Sequence, residues 1–171
     1  MLFWIIRNRY ELGVSSRNLM VYFKNYLHWL FRINYYRNIL IHSGNRISSY
    51  KNFEIVGNEK DFIKCLNLNS GIYIQCSNGV KIHGSCIIAA GAKIISGNHN
   101  FHDFSAPSSP TNSVIVKKGC WIGANAIILP GVILEEGTIV GAGSVVTKSF
   151  SRSNIIIAGN PARIIKSIEK R

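Results

Sequence analysis

The feature that most constrains the fold is a six-residue period of aliphatic residues in the C-terminal half of this 171-residue chain. A small or β-branched residue stands four positions after most of the aliphatic ones. The aliphatic positions are Val116, Ile122, Ile128, Leu134, Val140 and Val146, with Ile82, Ile88 and Ile94 upstream in the same phase. A helix repeats near 3.6 residues and an ordinary strand near two. The period of six therefore requires a different arrangement.

Short strands that coil into stacked triangular turns explain this period. Each hexapeptide forms one side of a prism, with its aliphatic side chain inside and its small residue where the chain bends at a corner. Successive coils then pair strand on strand at about 4.8 Å, which satisfies the backbone hydrogen bonds. Glycines such as Gly131 and Gly143 supply positive φ at turns. The alternative is a β-sandwich with a coincidental period, and nine in-phase positions argue against it.

The phase breaks once, between Ile94 and Val116, which are 22 positions apart. The intervening segment is rich in turn-forming residues and contains His99 and His102. Loops that leave a rigid scaffold and carry titratable residues often contain functional sites. We therefore predict a catalytic loop at residues 96–113, within a hexapeptide-repeat domain that spans residues 51–171.

The first 50 residues form a separate basic and aromatic region, which we predict to be helical. Residues 1–51 contain eight basic side chains and one acidic one, in a chain whose formal net charge is +12. Lys24, His28 and Arg32 would follow one stripe of an otherwise apolar helix. Such a helix suits peripheral contact with a membrane through residues 1–40. The alternative is packing on the end of the prism or between subunits.

Composition excludes several classes of protein. A hydrophobic fraction of 47% with 16% charged residues argues against disorder. The four cysteines lack C-x-x-C spacing, which argues against a zinc ribbon and a disulfide framework. A nucleic-acid binder would rest on net charge alone, so we expect no nucleic-acid partner. Without a secretory signal or an uninterrupted transmembrane run, a cytoplasmic location is expected, at the inner face of the membrane if residues 1–40 bind it.

Three segments, at residues 121–131, 141–148 and 158–163, resemble hexapeptide-repeat acyltransferases. The sequence is most similar to the maltose and galactoside O-acetyltransferases and the bacterial polysaccharide O-acetyltransferases, over residues 65–168. This resemblance implies an all-β fold, a left-handed parallel β-helix, with an N-terminal helical segment and a short C-terminal helix. The handedness comes from the resemblance, since crossovers are otherwise right-handed. The resemblance also implies a homotrimer with acetyl-CoA between neighbouring subunits.

The same resemblance assigns roles to individual residues. His99 matches the catalytic histidine, and Asn69 matches a residue that positions the acetyl group or acceptor. Acetyl-CoA would be bound by Trp121, Ala124, Ala142, Thr147, Lys148 and Arg163. His102 replaces His99 if the loop is threaded differently, while Asp103 is expected to form a turn. No metal is required.

Acetyl transfer from a thioester to a hydroxyl needs few protein groups. A neutral imidazole can take the proton of the attacking hydroxyl and pass it to the departing thiolate. The oxyanion needs a donor such as a backbone N–H. Cys76, Cys86 and Cys120 occupy repeat positions and are interpreted as packing residues, not nucleophiles. His83 is expected to face outward, without a catalytic role.

The sequence therefore favours an acetyl-CoA-dependent transferase that acts on a hydroxyl of a sugar or glycan in surface polysaccharide or lipopolysaccharide biosynthesis. One alternative is an N-acetyltransferase for an amino-sugar nucleotide, and another is a xenobiotic acetyltransferase. A third is a β-helix carbonic anhydrase with zinc on His83, His99 and His102, although these histidines do not have that family's spacing.

Overall fold

A computed structural model of the chain describes residues 35–36, 39–100, 103 and 113–169, with side chains from residue 41 onward. Most of the predicted helical region (residues 1–50) and of the predicted membrane contact (residues 1–40) lies outside this part, as do His102 and most of the 96–113 loop. The described residues between 35 and 48 contain short strands and no helix. A short antiparallel pair, β1 (Tyr35–Tyr36) and β2 (Ile39–Leu40), begins the described chain.

The remaining strands form the three sides of a triangular prism. Sheet 1 contains β3 (Arg46–Ser48), β5 (Tyr73–Gln75), β8 (Lys93–Ile95), β11 (Ile127–Ile128) and β14 (Val145–Val146). Sheet 2 contains β4 (Phe53–Val56), β6 (Val80–His83), β9 (Val114–Val116) and β12 (Ile133–Leu134). Sheet 3 contains β7 (Ile87–Ile88), β10 (Trp121–Ile122), β13 (Ile139–Val140), β15 (Ile155–Gly159) and β16 (Ala162–Ser167).

The chain visits sheets 1, 2 and 3 in turn, and the strands from β3 to β15 pair in parallel with the strand one coil away. We name the three bends the 1/2, 2/3 and 3/1 corners after the sheets they join. Strand β3 precedes residue 51 and already pairs with β5. The coils therefore begin before the domain boundary that the sequence predicts.

The predicted interior positions fill the core of the prism. All nine aliphatic residues of the six-residue phase are at most 1% exposed. The small residues at the corners, from Cys86 to Ser144, are also buried. This burial confirms the stacked triangular turns, because a sandwich would alternate its buried residues with a period of two.

A helix that the sequence analysis did not predict closes the first coil. After the 3-10 turn Tyr50–Asn52 and β4, helix α1 spans Glu59–Leu68. Its N-cap Asn58 accepts from the Lys60 N–H at 3.1 Å, and its inner face buries Phe62, Ile63 and Leu66. Among the described residues, no helix is long and apolar enough to cross a membrane.

Helix α1 takes the place of a strand beside β7 in sheet 3. The Ile88 N–H donates to Cys65 Sγ at 3.2 Å, and that thiol donates to the Ile88 carbonyl at 3.5 Å. These contacts satisfy edge groups that would otherwise lack a strand partner.

The C-terminal segment corrects one prediction. Residues 162–167 form strand β16 instead of a short helix, and β16 pairs antiparallel with β15. The reason is the open edge of sheet 3, where β15 would otherwise leave its backbone groups unpaired. Ile155, Ile157 and Ala162 are buried in this hairpin, and Asn160 and Pro161 form its turn.

Candidate active site

The predicted catalytic loop leaves the prism at the 1/2 corner, between β8 and β9. Its first residue, Ser96, is completely buried. The Ser96 hydroxyl donates to the Gln75 carbonyl at 2.9 Å and accepts from the Asn78 N–H at 3.1 Å. The Ser96 N–H donates to the same Gln75 carbonyl at 3.0 Å. The loop therefore starts from a residue that is fixed to the coil below.

The next residue, Gly97, is held by a side chain. Its N–H donates to Gln75 Oε1 at 2.6 Å. A Cβ at Gly97 would lie 2.8 Å from Ser77 Cβ and 2.9 Å from the Gln75 amide atoms. Because real Cβ atoms need more than 3 Å, this position accepts only glycine without a shift of its neighbours.

His99 lies two residues beyond this anchor, and its side chain is exposed. Its N–H donates to Asn98 Oδ1 at 3.1 Å. Asp103 is also exposed. The imidazole of His99 is therefore presented at the outer surface of the 1/2 corner, next to a rigid attachment point.

Asn69 ends helix α1, at the 3/1 corner of the first coil. Its Nδ2 donates to the Cys65 carbonyl at 3.0 Å, and its own carbonyl accepts from Asn45 Nδ2 at 2.9 Å. Asn45 is buried, and its Nδ2 also donates to the Leu66 carbonyl at 2.6 Å. The structure thus gives Asn69 a role at the helix end. Its predicted contact with the acetyl group or acceptor stays a prediction.

Ala124 and Ala142 stack on each other at the 3/1 corner of successive coils. The Gly143 N–H donates to the Ala124 carbonyl at 2.8 Å, and Ala142 is exposed. Behind them, a Cβ at Gly123 would lie only 2.7 Å from the Ala142 nitrogen. Among the described residues, the N–H groups of Ala124 and Ala142 donate no hydrogen bond. This corner is a wall of closely stacked backbone with very small side chains.

Trp121 and Arg163 lie on sheet 3, with Trp121 next to the 2/3 corner and Arg163 next to the 3/1 corner. The Trp121 side chain is 48% exposed and lies in register between Ile87 and Ile139 on the outer face. Arg163 pairs with Ala158 in the β15–β16 hairpin. The Gly159 N–H donates to Ser144 Oγ at 3.1 Å, and this hydrogen bond joins the β15–β16 hairpin to the 3/1 corner of the preceding coil.

Thr147 and Lys148 lie at the 1/2 corner, where both are exposed. Lys148 Nζ is 6.0 Å from the centre of the Phe150 ring. They stand two coils along the prism from the start of the catalytic loop, which is about 10 Å at 4.8 Å per coil. His99 shares its corner with these two residues, while Asn69, Ala124 and Ala142 lie at the 3/1 corner.

The other candidate groups of the sequence analysis are structural. His83 faces outward as predicted, and its Nδ1 lies 2.8 Å from the Ser85 hydroxyl. Cys86 and Cys120 are buried at the 2/3 corner, where their thiols donate to the carbonyls of Lys117 and Glu135. The hydrogen bond with Cys86, and then burial, raise the pKa of the Cys120 thiol. In the described part of the chain, no three His, Cys, Asp or Glu residues are placed to hold a metal ion.

Sequence reasoning missed Gln75 and Ser96. Neither belongs to a segment that carries the family resemblance, and the sequence shows only that turn-forming residues begin after Ile95. Their hydrogen bonds join residues about 20 positions apart in neighbouring coils. Only the register of the coils reveals them.

Part of the chain resembles the hexapeptide-repeat transferases. Residues 113–148 match the family model described as bacterial transferase hexapeptide (six repeats). This match confirms the family resemblance seen in the sequence, over the coils that carry Trp121, Ala124 and Ala142.

Among named relatives, the chain is similar to the putative lipopolysaccharide biosynthesis O-acetyl transferase WbbJ of Escherichia coli K12. The two are 34% identical over 112 residues, which are 59% of this chain and 57% of WbbJ. The chain therefore spans little more than half the length of this relative.

Solved structures confirm the fold. A maltose O-acetyltransferase from Clostridium difficile 630 superposes with a TM-score of 0.54 at 25% identity, over 74% of this chain and 64% of that one. An N-acyltransferase from Bacillus cereus, AntD, superposes with a TM-score of 0.58 at 21% identity, over 84% of this chain and 90% of that one. The chain is an all-β, left-handed parallel β-helix, as predicted.

Proposed function

We propose that the protein transfers an acetyl group from acetyl-CoA to a hydroxyl of a sugar or glycan. The observation that carries this proposal is the match of residues 113–148 to the transferase repeat, in coils whose 3/1 corner exposes closely stacked backbone. The name of the WbbJ relative supports an acceptor in lipopolysaccharide or surface polysaccharide biosynthesis. The maltose O-acetyltransferase structure supports a sugar hydroxyl.

In the proposed reaction His99 is the general base. The acceptor oxygen attacks the thioester carbonyl while its proton passes to the His99 imidazole. The tetrahedral intermediate then collapses, the carbon–sulfur bond breaks, and the imidazolium returns the proton to the CoA thiolate. A backbone N–H at the 3/1 corner would donate to the oxyanion. Atoms and charge balance without a covalent enzyme intermediate.

The 3/1 corner is the proposed binding surface for acetyl-CoA. The N–H groups of Ala124 and Ala142 would donate to amide oxygens of the pantetheine arm, and Trp121 would cover its apolar side. Arg163 beside this corner would contact the nucleotide end, together with Thr147 and Lys148 from the 1/2 corner of a neighbouring copy, because guanidinium and ammonium groups suit phosphates. That AntD was solved with Coenzyme A is consistent with this choice of donor.

We further propose that the active site lies between copies of the chain in a homotrimer. Ala142 and Thr147 mark the two edges of sheet 1 and are five residues apart along β14. At roughly 3.3 Å per residue, the two corners of one copy are about 16 Å apart. His99 and the backbone wall of a single copy therefore stand too far apart for proton transfer. A neighbouring copy that brings its 1/2 corner against the 3/1 corner would complete the site.

We place the reaction in the cytoplasm, at the inner face of the membrane if residues 1–40 bind it. All four cysteines are free thiols in the structure, which agrees with a reducing compartment. A lipid-linked glycan would then be a natural acceptor.

The test is His99→Ala, assayed by release of free CoA thiol with a panel of sugar and glycan acceptors. Loss of a general base costs about 10²- to 10⁴-fold, so kcat should fall at least about a hundredfold. Binding of acetyl-CoA should stay within about threefold, because the imidazole contributes mainly in the transition state. Near-normal turnover in this variant would refute the assignment of the base.

Two matched histidine variants make this test specific. His83→Asn keeps an acceptor for the Ser85 N–H, which now donates to His83 Nδ1 at 3.2 Å, and should retain activity. His102→Ala separates the two loop histidines, since loss of turnover there alone would move the base to His102. The panel includes amino sugars. Formation of an N-acetyl product would show that the acceptor group is an amine instead of a hydroxyl. Light scattering on each variant shows that the assembly is intact.

A further inference from the structure

We propose that Gln75 is a positioning residue for His99. Its side-chain amide holds the Gly97 N–H and thereby fixes the direction in which the catalytic loop leaves the prism. This inference rests on the proposed function, since it gives Gln75 a role in catalysis only if His99 is the base.

The first observation is that Gln75 binds two successive residues of the loop. Gln75 ends β5 and pairs in register with Ile95 of β8, the residue before the loop begins. Its carbonyl accepts from both the N–H and the hydroxyl of Ser96, and its Oε1 accepts from the Gly97 N–H at 2.6 Å. These three hydrogen bonds attach the first two residues of the loop to the neighbouring coil.

The second observation is that Gly97 is packed flat against this amide. An added Cβ would come within 2.9 Å of both Gln75 Oε1 and Nε2. The Gly97 backbone therefore has hydrogen-bond and van der Waals contact with the same side chain. Such double contact limits rotation of the chain at the point where it leaves the sheet.

The third observation concerns the fold, which does not require a glutamine here. Gln75 is half-buried and flanks the two buried repeat positions Ile74 and Cys76 on the outer side of sheet 1. The core of the prism is built from side chains that point inward and from small residues at the corners. An amide on the outer side therefore contributes little to the core. Its hydrogen bond to the next coil is made at the corner where the loop departs.

The distance to His99 makes this anchor important for catalysis. His99 is two residues beyond Gly97, or about 7 Å along an extended chain. A swing of about 10° at Gly97 would then displace the imidazole by about 1 Å, and misplacement of this size can cost about 10²-fold in rate. The anchor should therefore affect kcat more than binding of acetyl-CoA at the opposite corner.

The experiment compares Gln75→Met with Gln75→Glu. Methionine keeps the length of the side chain without an oxygen acceptor, while glutamate keeps an oxygen for the Gly97 N–H. We expect Gln75→Met to lower kcat by about ten- to a hundredfold with the KM for acetyl-CoA within about twofold. Gln75→Glu should restore kcat to within about threefold of wild type. Ser48→Ala, which changes the polar neighbour of Gln75 in the same column of sheet 1, is the matched control and should leave kcat unchanged.

Amide hydrogen exchange at Gly97 gives a readout that does not depend on activity. The Gly97 N–H should be protected in the wild type and in Gln75→Glu, and should exchange at least about tenfold faster in Gln75→Met. Equal exchange in all three proteins overturns the proposal, and so does wild-type kcat in Gln75→Met. A parallel fall in kcat and in melting temperature, without rescue by glutamate, also overturns it, because Gln75 would then be structural only. Failure of the proposed function shows separately, as unchanged turnover in His99→Ala.

Discussion

Gly123→Ala tests whether the stacked backbone of the 3/1 corner both holds the coils together and binds acetyl-CoA. Gly123 is buried, and its N–H donates to the Val140 carbonyl at 2.9 Å. The new Cβ would lie 2.7 Å from that carbonyl oxygen and 2.7 Å from the Ala142 nitrogen. Both atoms belong to the backbone, so no side-chain rotation relieves the overlap.

The size of the effect follows from this geometry. Ordinary contacts of carbon need about 3.4 Å or more, so the next coil must move by about 0.7 Å at Ala142. Overpacking of this kind costs about 1–3 kcal/mol, partly offset by about 0.4–1 kcal/mol from the lower entropy of the unfolded alanine chain. The net loss of unfolding free energy should be about 1–2 kcal/mol. A hydrogen bond from Ala142 to the pantetheine would also lengthen beyond about 3.5 Å, which costs about 1 kcal/mol and raises the KM for acetyl-CoA about fivefold.

Urea unfolding and steady-state kinetics measure the two effects. Gly119→Ala is the matched control, because its Cβ would meet nothing within 4 Å while its φ of +69° still makes alanine unfavourable by about 1 kcal/mol. It lies near the 2/3 corner and should therefore lose similar stability with an unchanged KM. A wild-type KM in Gly123→Ala, or an equal rise in Gly119→Ala, would refute the reasoning about this corner.

Two further predictions concern the core. Ile122→Val should cost about 1 kcal/mol of unfolding free energy and Ile122→Ala about 2–5 kcal/mol, measured by urea unfolding, because this side chain is fully buried; equal costs would contradict the tight packing of the interior. Burial raises the pKa of the Cys76 thiol from 9.0 to about 12, so above pH 9 the unfolded chain loses a proton that the folded chain keeps. Stability should then fall as pH rises through this window, by at most about 1.4 kcal/mol per pH unit from this thiol. Cys76→Ala should flatten that slope in reducing buffer, and an unchanged slope would count against the assignment.

The interior of the prism was predictable because its rule is local and repeats. Ile82, Ile122 and Val140 face inward because each occupies the aliphatic position of its hexapeptide, and the same position is buried in every coil. The start of the predicted catalytic loop was also visible, as a break in the phase after Ile94. Handedness was not visible in the period itself and came from the resemblance to a known family.

The ends of the prism could not be predicted from the period. Helix α1 interrupts no repeat in the sequence, yet it covers the edge of β7 because Cys65 supplies the hydrogen bonds that a strand would have made. Strand β16 forms for the same physical reason at the other edge, where β15 needs a partner. Both outcomes depend on backbone groups that become available only when the coils are stacked.

The sequence by itself determined the stacked coils, the small residues at their corners and the histidine in the loop between β8 and β9, since short segments of sequence specify each of them. Tertiary structure decided how those parts are placed. It separated His99 from Ala142 by the width of sheet 1, and it joined Gln75 to Gly97 across neighbouring coils. The physical reason is that coil-to-coil contacts form between residues about 20 positions apart, so their register, and not any local pattern, selects the partners.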